Sequence, residues 1–308
     1  MNRLLSILIL YSTICSAEDI KFNALAFYEY SYNSSVEGKN SNEFELHRVY
    51  FTFEKEMSNT LSYKFQTDVG RNSADGRLEV YLKNAKIDWT TAHGKFVIGL
   101  QGMNLFNVQE KTWGYRSVEK SAMDKYKFAS SADMGLGFYN SFVNVNYSVL
   151  VTNGAGYKSS ENDSFKKLSA QILYGPSILN SKQGWNIGGV FSFEPYTKKE
   201  YTLLEGIFCG FSSGQIRAGI EFDQLLDSDS DETIKIISGN GNLKLNDKFN
   251  IFGRVDNFTN SDYTANYFIA GISVMPEKGL KIIPNFRYTT NSESENILKY
   301  NLNFEFKI

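Results

Sequence analysis

Few residues in this sequence could carry out catalytic chemistry. It holds two histidines in 308 residues, His47 and His93, and acid–base or nucleophilic catalysis needs such a group in reach of a nucleophile and an orienting partner. His47 stands beside Arg48 in an alternating segment and His93 in a short polar turn. Neither is matched by a serine or aspartate arrangement, so no enzymatic activity is expected. Asp227, Asp229 and Asp231 have the spacing that opens a calcium loop. Glu232, however, fills the sixth position, which requires glycine, and Ser238 the twelfth, which requires glutamate. No metal site and no cofactor is expected. An exposed acidic loop that bridges divalent ions to anionic lipopolysaccharide is the plainer reading. Only two cysteines occur. Cys15 lies in the apolar N-terminal stretch, and Cys209 reads as a small apolar side chain on a strand with no internal disulfide partner.

The charges most relevant to function lie between Gly102 and Ala132. Lys111, Arg116, Lys120, Lys125 and Lys127 stand there against Glu110, Glu119 and Asp124, a surplus of two positive charges. A connection of about thirty residues without alternation is uncommon in a compact fold unless it has a function. Charges of both signs on such a segment suit the wall of an aqueous path, because a narrow lumen with low-dielectric walls focuses their field on passing ions.

The rest of the chain is built to hold that segment. Residues 60–69 place Leu61, Tyr63, Phe65 and Val69 on one face and Ser62, Lys64, Gln66 and Asp68 on the other, which is the period of a strand. The same alternation recurs at Val143 to Val151, Ile216 to Phe222 and Leu298 to Ile308. These runs reach about ten residues, the length a tilted strand needs to cross a bilayer, and exceed the usual 5 to 6 of a soluble sandwich. Sixteen such segments are predicted, with fourteen or eighteen as the alternatives, near 19–31, 43–54, 60–69, 77–89, 95–101, 133–139, 142–152, 166–174, 185–194, 201–211, 215–225, 233–245, 249–256, 264–275, 280–289 and 296–308. Those at 77–89 and 233–245 change face midway, as bulges would make them do.

Sixteen antiparallel strands imply a transmembrane β-barrel with both termini on the periplasmic side and a water-filled lumen. The even connections are short and rich in turn residues, as at Asn140-Ser141, Ser212-Ser213-Gly214 and Asn246-Asp247-Lys248, whereas the odd ones run longer, as at 31–42 and 153–165. The even connection from Gly175 to Gly184 is longer than this rule predicts. The long segment is then the third external loop, expected to fold into the lumen and form the constriction with Lys111, Arg116, Lys120, Lys125, Glu110 and Glu119. Arg48, Lys64 and Lys83 are expected on the facing wall. Other inward positions mix Arg217, Arg254, Arg287 and Lys299 with Asp68, Glu221, Asp223 and Glu305.

Composition and the N-terminus agree with export to an outer membrane. Arg3, the apolar run Leu4 to Ile14 and the small residues to Ala17 predict a signal peptide over residues 1–17, leaving residues 18–308 as the barrel. Ile14 stands where a lipoprotein needs a small residue before Cys15, and the run is too short to anchor as a spanning helix. Aromatic residues make up 15% of the chain and Pro only four positions, and no second apolar run approaches spanning length, a pattern that excludes a helical membrane protein. The net charge of −2, with both signs interspersed, excludes a nucleic-acid partner.

Particular segments resemble a known family. Phe44-Glu45-Leu46-His47-Arg48-Val49-Tyr50-Phe51 with Tyr63-Lys64-Phe65-Gln66-Thr67-Asp68 resembles the opening hairpin of the phosphate-selective (O and P type) porins. Leu78 to Trp89, Gly99 to Met103 and Val149 to Tyr157 are also similar to it. The resemblance covers roughly the first half of the mature chain and implies a homotrimeric, 16-stranded channel. Two features depart from the family: the loop cations are mixed with acids, where desolvated phosphate needs a run of cations, and the chain ends on Ile308 instead of Phe or Trp. The expected function is therefore passive diffusion of small hydrophilic solutes with a mild anion preference. The alternative is a non-channel outer-membrane barrel with a structural or adhesive surface role, which would need large external loops beyond the one seen here.

Overall fold

Each alternating segment folds as a strand in the computed structural model, which describes residues 20–34, 41–72, 75–292 and 295–308. The expected signal peptide lies outside the described residues. The strands are β1 (Ile20–Ser34), β2 (Ser41–Glu56), β3 (Leu61–Arg71), β4 (Leu78–Thr91), β5 (Gly94–Gly102), β6 (Ala132–Phe142), β7 (Val145–Thr152) and β8 (Lys167–Tyr174). They continue as β9 (Gly184–Pro195), β10 (Tyr201–Ser212), β11 (Ile216–Asp227), β12 (Glu232–Lys244), β13 (Phe249–Thr259), β14 (Thr264–Glu277), β15 (Leu280–Asn291) and β16 (Ile297–Lys307). Each pairs antiparallel with its sequence neighbours, and β1 closes on β16 from Leu25 opposite Lys307 to Ser34 opposite Leu298. Closure leaves no strand edge unpaired, which is what allows a sheet to stand in hydrocarbon.

All sixteen expected strands are present, with ends within three residues of the prediction. Their outward positions carry large exposed apolar side chains such as Ile207, Ile220 and Leu136. In a soluble protein these would be a liability; on a barrel they form the band that faces lipid. The turn expected at Asn140-Ser141 falls instead at Val143-Asn144, because β6 continues until Phe142 pairs with Val145. Val143 then takes a left-handed φ of 55°, unusual for a β-branched residue.

The expected bulge in 77–89 exists: Gln66 pairs with Asn84 and Thr67 with Leu82, leaving Lys83 as the extra residue. A second bulge was not foreseen, where Phe27 pairs with Arg48 and Tyr28 with Leu46, so that His47 is extra. The bulge expected in 233–245 is absent, since β12 keeps an unbroken register with both β11 and β13. Ile236 is apolar yet faces inward, where it belongs to the same buried cluster as Met123 and Phe128, with Ile234 partly buried against that cluster. The apparent change of face comes from apolar contact inside the barrel.

Connections at one end of the barrel run two to four residues, apart from 175–183, and those at the other end run from four residues upward. The short-end exception, 175–183, is explained by Leu179, which is 1% exposed. The turn folds back over the lumen, Asn186 Nδ2 donates to the Pro176 carbonyl at 2.7 Å, and Leu179 reaches the wall beside Gly210.

Candidate functional site

The residues between β5 and β6 form two short helices, α1 (Asn107–Trp113) and α2 (Ala122–Lys125). Their apolar side chains Met103, Leu105, Phe106, Val108, Ala122, Met123 and Phe128 pack on inward residues of β7 to β10, β12 and β13, including Leu150, Leu173, Val190, Leu204, Phe208 and Phe258. A second cluster joins Trp113, Tyr115 and Val118 to Phe252, Tyr267, Ile269 and Ile283. Burial of this area at about 25 cal/mol per Å² is the main force holding the segment to that wall.

Polar bonds then fix its path. Asn104 is fully buried: its Nδ2 donates to Ser148 Oγ at 2.9 Å, and its Oδ1 accepts from Ser169 Oγ at 2.8 Å. Further along, wall donors satisfy backbone carbonyls at the end of α1 and in the stretch between the two helices. Arg217 donates to Thr112 and Trp113, Arg254 to Lys120, Arg287 to Val118 and Asn303 to Ser117. Three wall arginines thus fasten the segment's backbone. Gly114 permits the fit. It ends α1 with φ 74°, and a side chain there would collide with Arg217.

Asn303 lies on the inward face of β16, where alternation alone predicts a solvated position. It is instead fully buried, and its Nδ2 donates to Glu29 Oε2 at 2.7 Å as well as to the Ser117 carbonyl. An arginine there would break this junction.

Two cavities lie between the segment and the facing wall, which includes β1–β4. A cavity of about 630 Å³ toward the short-turn end is lined by Phe27, Tyr50, Lys83, Glu110, Lys111 and Arg116, among others. Another of about 300 Å³ toward the long-loop end is lined by Phe27, Arg48, Arg71, Arg116, Glu119 and Lys120, among others. Arg116 and Phe27 belong to both, so the two cavities lie on either side of this pair. On the wall, Arg48 Nη1 lies 3.3 Å from Asp68, which also accepts from the Tyr157 hydroxyl at 2.7 Å. Lys83 Nζ stands 4.0 Å from Asp68 and 4.9 Å from the centre of the Tyr50 ring. Lys83 is the extra residue of one bulge and Arg48 adjoins the other, and bulges re-aim side chains in this way.

Each expected site residue can now be placed. Arg116 sits 3.1 Å from Glu110 and 3.4 Å from Asp124, and Lys120 lies 3.2 Å from Asp124. Lys111 lines the short-turn cavity, where burial lowers its pKa and Glu110 partly opposes that. Burial would raise Glu119, yet Lys125, Arg287 and Arg254 together hold it below its ordinary value, and it accepts from the Tyr267 hydroxyl at 2.8 Å. Lys125 lines neither cavity. Its ammonium lies behind the segment, over the Tyr267 ring and 3.9 Å from Asp256, and burial first, then Arg254 and Arg287, push it down to about 7. Lys64 pairs with Glu54 at 2.9 Å, away from the junction. Phe27, Tyr50 and Tyr157 were missed by the sequence reading. Tyr50 and Tyr157 had a signal, since each falls in a segment of family resemblance, and Phe27 had none.

Solved structures share this architecture. An anion-selective porin from Comamonas acidovorans is similar with a TM-score of 0.70 at 9% identity, over 94% of this chain and 99% of that one. OmpF of Salmonella typhi, in complex with daunomycin, is similar with a TM-score of 0.70 at 9% identity, over 94% and 97%. The fold is that of the porins. The trimer form of OmpT, an outer membrane protein of Vibrio cholerae, is similar at 0.65 and 10% identity, over 94% and 99%. No protein-family model matches the chain, and no curated protein matches it.

Proposed function

We propose that this chain is an outer-membrane porin, a passive diffusion channel for small hydrophilic solutes with at most a mild anion preference. In this reading the 103–131 segment, folded into the lumen, is the constriction. The observation that carries it is the pair of cavities on either side of Arg116 and Phe27, one toward each end of the barrel. Arg116, Lys111 and Lys120 with Glu110 and Glu119 then face Arg48 and Lys83 across the path, Lys64 lies further along the wall, and Lys125 acts from behind the segment. Carboxylates within 4 Å of Arg48, Arg116 and Lys120 compete with a passing anion, which favours a mild preference over the strict phosphate selectivity of the O and P type.

The same reading has the chain exported with cleavage after Ala17, seated in the outer membrane of a Gram-negative bacterium among lipid and lipopolysaccharide, and assembled as a homotrimer without enzymatic activity. The test is conductance of the purified, folded protein in planar bilayers. Discrete steps are expected, and deleting Trp113 to Asp124 should enlarge them severalfold. Absence of steps in both proteins would point to a blocked, non-channel barrel.

A further inference from the structure

The charges of this chain are sorted by end. In the short turns, with four strand residues on each side and the same stretch at β1 and the C-terminus, eleven Lys and Arg stand against six acids among the described residues. In the long connections other than 103–131, counted the same way, nine stand against fifteen. Asp68 and Asp256, two of those fifteen, are buried against Arg48 and Arg254, so among the described residues one mouth carries a surplus of five positive charges and the other a surplus of four negative. The negative surplus is concentrated in the β11–β12 and β13–β14 connections, where Asp229, Asp231 and Asp262 are exposed. No ion pair holds any of these three among the described residues. The positive mouth continues inward, since Lys83, Lys111, Lys281 and Lys307 line the short-turn cavity with only Glu110 and Glu305 opposing them.

We propose that the channel rectifies, passing more current when the long-loop side is electrically positive. This rests on the channel reading above and adds a direction to it. Fixed charge at a mouth raises the local concentration of the opposite ion. Cations gather at the acidic long-loop mouth and anions at the basic short-turn mouth. A potential positive on the long-loop side drives both kinds of ion into the pore from the mouth that has gathered them, and fills it. The opposite potential draws each from the mouth where it is depleted, and empties the pore.

The test is the current ratio at equal and opposite potentials for the full-length protein in planar bilayers. Orientation is assigned by an impermeant thiol reagent added to one chamber against Ser230→Cys in a Cys209→Ala background. At about 0.1 M salt, where screening reaches about 10 Å, a ratio of roughly 1.5 to 2 favouring the long-loop-positive polarity is expected, falling toward one at about 1 M, where it reaches about 3 Å. Asp229→Asn with Asp231→Asn and Asp262→Asn should bring the low-salt ratio close to one while leaving the steps in place. Ohmic steps at low salt, or rectification of the opposite sign, would overturn the proposal and leave the channel reading standing. Folded protein without steps would overturn both.

Discussion

Lys125 shows how a side chain of the right type can serve a different role from the one its sequence position suggests. In sequence it is one more cation of the long segment, yet its ammonium is turned toward Asp256 and the Tyr267 ring. Held at about 7 against an ordinary 10.5, it is less protonated in the folded protein than in the unfolded chain across that interval. Stability therefore rises with pH from about 7 toward 10.5 and is insensitive to this group below 7. Lys125→Met removes the penalty, and Asp256 keeps its bond to Arg254 at 2.7 Å. The variant is expected to exceed the parent in urea midpoint at pH 7, with the gap closing by pH 10. An equal gap at both pH values would contradict the assigned burial. Which cations of the segment point to the path and which to the wall is not written in their spacing, because it depends on carbonyl contacts with strands more than a hundred residues away, such as Arg217 to Thr112.

At the scale of elements, period-two alternation made every strand legible, because lipid outside and water inside impose opposite chemistry on the two faces. It failed where neither solvent touches the wall. Ile234 and Ile236 are apolar and inward because α2 and its neighbours cover them, which mimicked a bulge, while the real bulge at His47 left the polarity pattern undisturbed. The outward assignment can be checked on β10, where Ile207 is 65% exposed. Ile207→Arg should cost roughly 2 to 4 kcal/mol if it sits near the bilayer midplane, lowering the yield of barrel folded into liposomes. Lys299→Arg, on the inward face of β16, should leave the yield unchanged. Equal yields for both would mean that the faces are misassigned.

At the scale of the whole molecule, length and rank singled out the third long connection, the segment proposed above as the constriction. The junction it forms with Phe27 and Tyr50 arises only once β1 closes on β16 and brings the first strands opposite it. The outward faces of β1 to β4, lined by Tyr28, Phe51, Phe53, Tyr63, Ile87 and Trp89, offer an uncharged surface suited to a second copy. Light scattering in gentle detergent, with the detergent mass subtracted, should give three chains per particle, and a single chain would count against the trimer. The central claim, that ions pass between the 103–131 segment and the β1–β4 wall under a small positive surplus, is tested most directly by the zero-current potential in a salt gradient. The intact channel is expected to show a small anion preference, and joint reversal of Lys111, Arg116 and Lys120 to glutamate to tilt it toward cations. A zero-current potential identical in the two proteins would contradict it.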